Sequence, residues 1–233
     1  MTIPVPRYKV AALNGFLYKL YERGAVKIDT EKGFRLKLHD SNPDAPLSPL
    51  YFNLRIPANK GGPLTQDDVE DIAQFFFSFL CNSKITFDAI CPVPNAGDPF
   101  ALALQQIYRE RIGKSIPLLE LSKEVSANGR KVGELKPTEY SPVGMVVLII
   151  DDLISRSDSK AEAVDSLRRA GCKVTDCLVF LDRQQGGKDG LEKMGVDLHS
   201  IVGLSNVLEF YKDSNVITVD QYNIIHSYLK NAQ

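Results

Sequence analysis

The sequence predicts an α/β fold in which helices flank a buried, mostly parallel sheet. From Phe87 onward, short apolar segments alternate with helical segments, a pattern typical of right-handed βαβ units. The chain has 233 residues, of which 44% are hydrophobic and 24% are charged, as in an ordinary soluble globular protein. Because neither an internal repeat nor a low-complexity tract interrupts it, we expect a single domain over residues 1–233.

The N-terminal part predicts two helices separated by short strands and a loop. Apolar residues recur at helical spacing from Tyr8 to Leu20, and Gly24 is suited to end that helix. Short strands are predicted over 25–28, 34–38 and 51–54, with a proline-rich loop over 39–49. The second helix is predicted to begin near Thr65, whose side chain can cap the free N–H groups of the first turn.

From residue 87 onward, predicted strands alternate with predicted helices. Apolar strand segments are predicted over 87–94, 116–121, 145–152, 173–182 and 198–204. Helical segments are predicted over 99–111, 159–171, 187–195, 206–214 and 219–229. The polar stretch 122–142 is predicted to be a loop. Because apolar strands separated by helices are covered on both faces, we expect them to form a buried parallel sheet.

Composition excludes several classes of function. Lys and Arg number 28 and Asp and Glu 29, so the net charge is −1 and neither a nucleic-acid binder nor a binder of anionic membranes is expected. The main unbroken apolar stretch, 145–150, is far shorter than the roughly 20 residues of a membrane span. The N-terminal residues contain no apolar signal segment, and the four cysteines have no metal-binding spacing. We therefore expect a cytoplasmic protein with reduced thiols.

The segment VVLIIDDLISRSDSKAEAV carries the most information about function. Its strand is predicted to end in Asp151 and Asp152, and the hydroxyl residues Ser155, Ser157 and Ser159 lead into the next helix. Ligands of open α/β sheets bind beyond the carboxyl ends of the strands. Hydroxyls and helix N-terminal N–H groups suit a phosphate, and two carboxylates suit a sugar diol or Mg²⁺. The alternative is that the paired acids cap a helix or contact solvent.

The same segment resembles the motif that binds phosphoribosyl diphosphate (PRPP) in type I phosphoribosyltransferases. Three further stretches are similar to the orotate phosphoribosyltransferases of that family, including the corresponding half of bifunctional UMP synthase: GFRLK with SPLYFNLR, ITFDAICPVP, and LDRQQGGKDGLEKMGVDLHSI. LDRQQGG is the most specific of them, because purine and uracil phosphoribosyltransferases do not share it. The resemblance implies the type I phosphoribosyltransferase fold, with a small hood made of N-terminal and C-terminal segments.

The resemblance also implies an activity, which is transfer of ribose 5-phosphate from PRPP to orotate, giving orotidine 5′-monophosphate and pyrophosphate. It implies Mg²⁺ as cofactor and a homodimer as the assembly. Arg183 matches the arginine that faces the orotate carboxylate, which a planar guanidinium binds through two hydrogen bonds; the alternative is an ordinary surface arginine. On the orotate side, the resemblance also implies Lys37, Tyr51 and Phe52. In catalysis it implies Lys123, Asp151 and Asp152, and the two acids are also candidate Mg²⁺ ligands. Around PRPP it implies Ser155, Arg156, Ser157, Asp158 and Ser159.

The chain departs from the family pattern where PRPP is expected to bind. Ser157 stands in place of a glycine and Asp158 in place of a small residue. A carboxylate about 4 Å from a phosphate charge opposes binding by on the order of 4 kcal/mol at an effective dielectric constant near 20. Two arrangements would reduce that repulsion: Arg156 offsets it, or Asp158 turns outward as a helix cap.

The loop expected to close over the site departs as well. Ser122, Ser126 and Asn128 stand where the family carries charged or aromatic residues, so that Lys123 is the matching lysine, and Pro92 replaces a glycine in the pyrophosphate loop. These departures keep a second hypothesis open, a catalytically weakened or inactive relative that binds orotate, its nucleotide or a protein partner. A phosphoribosyltransferase acting on another base is a third hypothesis.

Overall fold

A computed structural model describes residues 7–36, 39, 42–59, 61–126 and 129–231. The chain divides into a smaller unit, made of Met1–Leu64 and Ser205–Gln233, and a larger unit, Thr65–Leu204. The larger unit contains the predicted alternation of strands and helices. That the whole chain forms one domain stays a prediction.

The elements follow one another along the chain in an order close to the predicted one. They are α1 (Arg7–Glu22), β1 (Val26–Ile28), β2 (Leu50–Phe52), α2 (Gln66–Cys81), β3 (Ala89–Pro92), α3 (Asp98–Ile112), β4 (Leu121–Ser126), β5 (Gly129–Leu135), β6 (Val146–Ile154), α4 (Asp158–Arg169), β7 (Lys173–Asp182), α5 (Gly187–Glu192), β8 (Asp197–Gly203), α6 (Leu204–Asp213) and α7 (Val219–Asn231). Two expected strands are reduced to isolated bridges, Phe34 with Ser48 and Leu118 with Ile90.

Four parallel strands form the sheet of the larger unit, in the spatial order β3-β6-β7-β8. The register places Ile149 of β6 between Cys91 of β3 and Cys177 of β7. This face packs in one buried cluster with apolar residues of α4, among them Ala163 and Leu167. The predicted α/β fold class, with a parallel sheet and flanking helices, is confirmed.

The other helices of the larger unit are held by aromatic contacts and by caps. Phe75 of α2 lies against Phe180 of β7, with ring centroids 6.2 Å apart. The predicted cap at Thr65 is confirmed, because its hydroxyl accepts a hydrogen bond from the backbone N–H of Asp68 (3.4 Å) and its own N–H donates to the Asp68 carboxylate (2.9 Å). Helix α2 therefore starts at the position that the sequence predicts.

The predicted polar loop over 122–142 is wrong where strands β4 and β5 lie, up to Leu135. Strands β4 and β5 form an antiparallel hairpin there, with Lys123 opposite Val132. The hairpin packs on α4, because the backbone N–H of Val132 donates to the Glu162 carboxylate at 2.8 Å and the Val132 side chain is buried. Because both strands carry polar residues, they contain no apolar run from which this pairing could be predicted.

The smaller unit combines α1, a two-stranded antiparallel sheet of β1 and β2, α6 and α7. In this sheet, Val26 is opposite Phe52. The Tyr211 hydroxyl of α6 donates to the backbone carbonyl of Leu17 in α1 at 2.8 Å, and burial raises the Tyr211 pKa above its ordinary value. Gly24 follows α1 with a φ of 71°, a conformation that favours glycine, as the sequence predicts.

Two expectations drawn from composition can be compared with the structure. Across the described residues, every helix is too short or too polar to cross a bilayer. All four cysteines are free thiols, with Cys81 exposed and the other three buried.

Candidate functional site

The two adjacent acids of the informative segment lie inside β6 rather than at its end. The strand continues past Asp152 to Ile154. Asp151 and Asp152 are both buried, with 3% and 7% of their surface exposed. Neighbouring residues of a strand project to opposite faces of the sheet. Adjacency in the sequence therefore does not bring the two carboxylates together in one site.

Asp151 forms a buried ion pair with Lys160, the third residue of α4. Asp151 Oδ2 accepts a hydrogen bond from Lys160 Nζ, and Asp151 Oδ1 accepts one from the backbone N–H of Asp152 at 2.9 Å. Lys160 Nζ also donates to the backbone carbonyl of Leu153 at 2.6 Å. The lysine therefore connects the end of the strand to the start of the following helix.

Sequence reasoning missed Lys160. Burial lowers the pKa of this ammonium, but the carboxylates of Asp151 and Asp152 outweigh that effect and hold the pKa above its ordinary value. The available signal was the position of the lysine, because a positive charge in the first turn of a helix opposes the helix dipole and needs a compensating partner. The spacing of nine residues gave no indication that Asp151 is that partner.

The acids do not fit the predicted Mg²⁺ site as a pair. Both oxygens of Asp151 already accept hydrogen bonds, and one of them faces an ammonium. Asp152 Oδ1 accepts a hydrogen bond from the backbone N–H of Leu153 at 2.7 Å. In the described ranges, moreover, no three His, Cys, Asp or Glu side chains are grouped so that they could hold a metal.

The predicted phosphate loop, residues 155–159, turns from β6 directly into α4. Ser157 is the residue before the helix, and its side chain forms no hydrogen bond that caps the helix. The backbone N–H groups in the first turn of an α-helix have no partner within the helix. The start of α4 therefore offers the N–H donors and the positive dipole end that a phosphate group requires.

Helix α5 packs closely on the phosphate loop, and two of its glycines permit that approach. The backbone N–H of Gly187 donates to the Ser155 carbonyl at 3.1 Å. A Cβ atom on Gly187 would lie 2.7 Å from Ile154 Cδ1, and one on Gly190 would lie 2.8 Å from Ser157 Cβ. The side chain of Ser157, which replaces the glycine of the family pattern, is therefore accommodated against Gly190.

Arg156 and Asp158 are both exposed to solvent. Asp158 is the first residue of α4, and Ser157 rather than Asp158 occupies the capping position. A carboxylate in the first turn is favourable for the helix, because it complements the positive dipole end. The expected role of Asp158 as the helix cap is therefore wrong, while its exposure agrees with an outward orientation.

Arg183 lies at the same sheet edge as the phosphate loop. It follows β7 directly, and its backbone N–H donates to the Ile154 carbonyl at 2.8 Å. Its side chain is buried, so it is not the ordinary surface arginine of the alternative interpretation. The next residue, Gln184, has a φ of 56°, and its backbone N–H donates to the Asp182 carboxylate at 2.7 Å, which forms the turn after the strand.

Lys123 lies near a third segment that begins at the carboxyl end of a sheet strand. Its Nζ atom in β4 donates to the backbone carbonyl of Pro94, just after β3, at 3.3 Å. This segment leads to Asp98, the first residue of α3, whose carboxyl pKa is raised by burial and then by the Glu120 carboxylate. Lys136 pairs with Glu120 at 2.8 Å. The lysine that the resemblance assigns to catalysis is thus beside the segment assigned to pyrophosphate.

The remaining predicted residues are the three on the orotate side. Tyr51 and Phe52 are half-buried in β2, and the Tyr51 ring lies 5.9 Å from the Phe34 ring, centroid to centroid. Lys37 lies outside the described residues. The assignment of these three residues to orotate stays a prediction.

Comparison with known proteins places this geometry in context. No protein-family model matches the chain. UMP synthase of Bos taurus is 35% identical over 177 residues, which are 75% of this chain and 34% of that protein. Orotate phosphoribosyltransferase of Sulfolobus acidocaldarius is 28% identical over 189 residues, which are 78% of this chain and 84% of that protein.

A solved structure of Leishmania donovani UMP synthase matches the fold with a TM-score of 0.71 at 28% identity, covering 94% of this chain and 42% of that one. The class is therefore the type I phosphoribosyltransferase fold. Within that class the chain is a homologue of the orotate phosphoribosyltransferases and of the corresponding part of UMP synthase. It spans about a third of the length of the bovine UMP synthase that it matches.

Proposed function

We propose that this chain is a pentosyltransferase of pyrimidine biosynthesis that transfers ribose 5-phosphate from PRPP to orotate, releasing pyrophosphate and orotidine 5′-monophosphate. One observation carries the proposal. The backbone N–H of Arg183 donates to the Ile154 carbonyl, so a buried guanidinium that can bind a carboxylate lies at the strand end from which the phosphate loop departs. The names of the homologues support the same activity.

The phosphate loop is assigned the 5′-phosphate of the ribose. The N–H groups at the start of α4 and the hydroxyls of Ser155 and Ser159 supply donors, and the exposed Arg156 supplies charge. Ser157 contributes its backbone, because its side chain packs towards Gly190. Asp158 is exposed, and we assign its carboxylate an orientation away from the phosphate.

Arg183 is assigned the orotate carboxylate. A guanidinium remains charged when buried and binds a carboxylate through two parallel hydrogen bonds, which fixes the orientation of the base as well as its affinity. Catalysis in this reaction means holding the pyrimidine nitrogen against the anomeric carbon of the ribose while pyrophosphate leaves. Lys37, Tyr51 and Phe52 are assigned to the base by resemblance alone.

The charge that develops on the leaving pyrophosphate is assigned to Lys123, whose Nζ lies 3.3 Å from the carbonyl of Pro94. A positioned cation stabilises the transition state at the place where negative charge develops. Asp152 is assigned the ribose diol. We assign no step to a metal held by Asp151, because both oxygens of this carboxylate already accept hydrogen bonds.

The proposal extends to the assembly and the setting of the protein. By resemblance the chain acts as a homodimer in the cytoplasm, and Mg²⁺ accompanies PRPP. The second candidate function is that of a relative that binds orotidine 5′-monophosphate without turnover. One observation favours this second candidate: Asp151, the first acid of the PRPP motif, already forms an ion pair with Lys160.

Orotate consumption in the presence of PRPP and Mg²⁺, measured with pyrophosphate release, tests the proposed activity. Turnover is expected for the wild-type chain, and Arg183→Gln should lower kcat/KM for orotate by roughly 100-fold or more, because a buried charge partner of the carboxylate is lost. Arg169→Gln is the matched control, since the Arg169 guanidinium pairs with Glu134 on the exposed side of α4.

The outcomes separate the two candidate functions. Wild-type chain that binds orotidine 5′-monophosphate but consumes no orotate favours the non-catalytic relative. Folded Arg183→Gln protein with unchanged kinetics refutes the role of this arginine, and absence of both binding and turnover refutes both functions.

A further inference from the structure

The positively charged side chain of Lys160 lies near the carboxyl end of β6. Lys160 Nζ contacts a carboxylate oxygen of Asp151 and the backbone carbonyl of Leu153, 2.6 Å away. Carboxylate and carbonyl oxygens are also the ligands that a hard divalent cation selects. The ammonium therefore occupies a coordination environment of the kind that a metal ion would use.

This environment is closed to solvent, and the Lys160 ammonium neutralises the charge of Asp151. Only 5% of the Lys160 side chain and 4% of the Asp151 side chain are exposed. The second oxygen of Asp151 accepts the backbone N–H of Asp152. A divalent cation at Asp151 would have to expel the ammonium, which would leave a buried positive charge without its partner.

Because of its location, the Lys160–Asp151 ion pair affects how this part of the chain binds a phosphate. Lys160 is the third residue of α4, so its side chain spans the phosphate loop from the helix back to the strand. Without Lys160, Asp151 would add a negative charge beneath the segment that is proposed to bind phosphate. With Lys160 in place, the helix N-terminus acts on a phosphate without that opposition.

We propose that Lys160 takes the place of a divalent cation at the end of β6, so that this edge of the sheet excludes metal and accepts a phosphorylated ribose without one. The first part, exclusion of metal, is independent of the proposed function. The second part, metal-independent binding of the ligand, rests on it.

Binding of Mn²⁺ to the ligand-free 233-residue chain tests the first part. Mn²⁺ broadens the NMR signals of amides near its site, so the amides of residues 151–159 should keep their intensity in the wild-type protein. In Lys160→Met a site for one Mn²⁺ should appear, because the freed carboxylate attracts a cation, and the double variant Asp151→Asn with Lys160→Met should lose it. Lys188→Met, which removes an exposed lysine paired with Glu192, is the matched control and should behave as wild type.

Binding of orotidine 5′-monophosphate by calorimetry tests the second part, with this nucleotide chosen because it lacks the diphosphate with which PRPP binds Mg²⁺ itself. For the wild-type chain, the affinities in excess EDTA and in excess Mg²⁺ should differ by a factor near one. In EDTA, Lys160→Met should bind roughly 100-fold more weakly, because the uncompensated Asp151 carboxylate repels the phosphate, and Mg²⁺ should recover most of that loss.

Each result decides one part of the proposal. Broadening of the 151–159 amides in the wild-type protein, or a folded Lys160→Met variant without a new Mn²⁺ site, overturns the exclusion of metal. If Lys160→Met does not fold, the wild-type spectrum alone decides that part. Nucleotide affinity that requires Mg²⁺ in the wild-type chain overturns the second part and leaves the proposed function standing. No nucleotide binding under any condition refutes the proposed function together with the second part, while the Mn²⁺ result still decides the first.

Discussion

Gly190 is a position at which one added carbon atom would disturb the packing of α5 on the phosphate loop. In Gly190→Ala, the new methyl carbon would lie 2.8 Å from Ser157 Cβ. Carbon atoms in contact are normally about 3.5–4.0 Å apart, so the helix or the loop has to move by about 0.7 Å. Rotation of the Ser157 side chain cannot relieve this contact, because Cβ is fixed to the backbone.

The expected destabilisation is about 1–3 kcal/mol, the range for an extra methyl group forced into a packed site. Urea denaturation measures it through the transition midpoint and slope. Gly15→Ala is the matched control, because its added carbon would meet nothing within 4 Å in helix α1, where alanine is favoured over glycine.

A second substitution distinguishes steric overlap from other effects of the alanine. Ser157→Gly removes the atom that the methyl group strikes, so the double variant should regain most of the lost stability and show a coupling free energy of about 1 kcal/mol or more. Additive effects of the two substitutions would refute the argument that Gly190 exists to accommodate Ser157.

Two further predictions concern acids at and near the sheet. The hydrogen bond with His199 lowers the pKa of Asp176, so this carboxylate stabilises the fold above its unfolded-state pKa of about 4, and the contribution is lost as the pH falls through the lower folded-state value. The Tm advantage of the wild type over Asp176→Asn should therefore be full near neutral pH and shrink from about pH 4 downward; a difference that is independent of pH would contradict this. Asp158→Asn should raise the affinity for orotidine 5′-monophosphate by less than about tenfold, since an exposed carboxylate is screened by water and salt. An increase near a thousandfold, measured by calorimetry, would show that Asp158 faces the phosphate.

The sequence was sufficient to predict those parts of the fold that depend on local patterns. The apolar run that ends in Ile150, the cap at Thr65 and the helix from Val219 each have a signal within a few residues, and the structure confirms them. The expected strand over 116–121 is reduced to one bridge beside Ile90, with β4 beginning at its last residue. An apolar run does not reveal whether the chain stays in register with its neighbour.

The parts that could not be predicted depend on contacts between distant residues. The β4–β5 hairpin is held by the Glu162 carboxylate on α4, a polar contact across 30 residues that leaves no periodic apolar pattern. The partner of Asp151 is Lys160, which in sequence is one charged residue among several at a helix start. Arg183 was predicted from a motif. Its burial beside the phosphate loop depends on the pairing of β6 with β7, which the motif does not show.

The central claim is that the sheet edge formed by the ends of β6 and β7 binds the phosphate of a ribose nucleotide at residues 155–159 and the pyrimidine carboxylate at Arg183. A crystal structure of the chain with orotidine 5′-monophosphate tests it most directly. The account predicts phosphate oxygens within about 3 Å of the N–H groups at the start of α4 and a two-point contact between the carboxylate and the Arg183 guanidinium. A nucleotide bound at another place, or bound here with its carboxylate away from Arg183, would contradict the account.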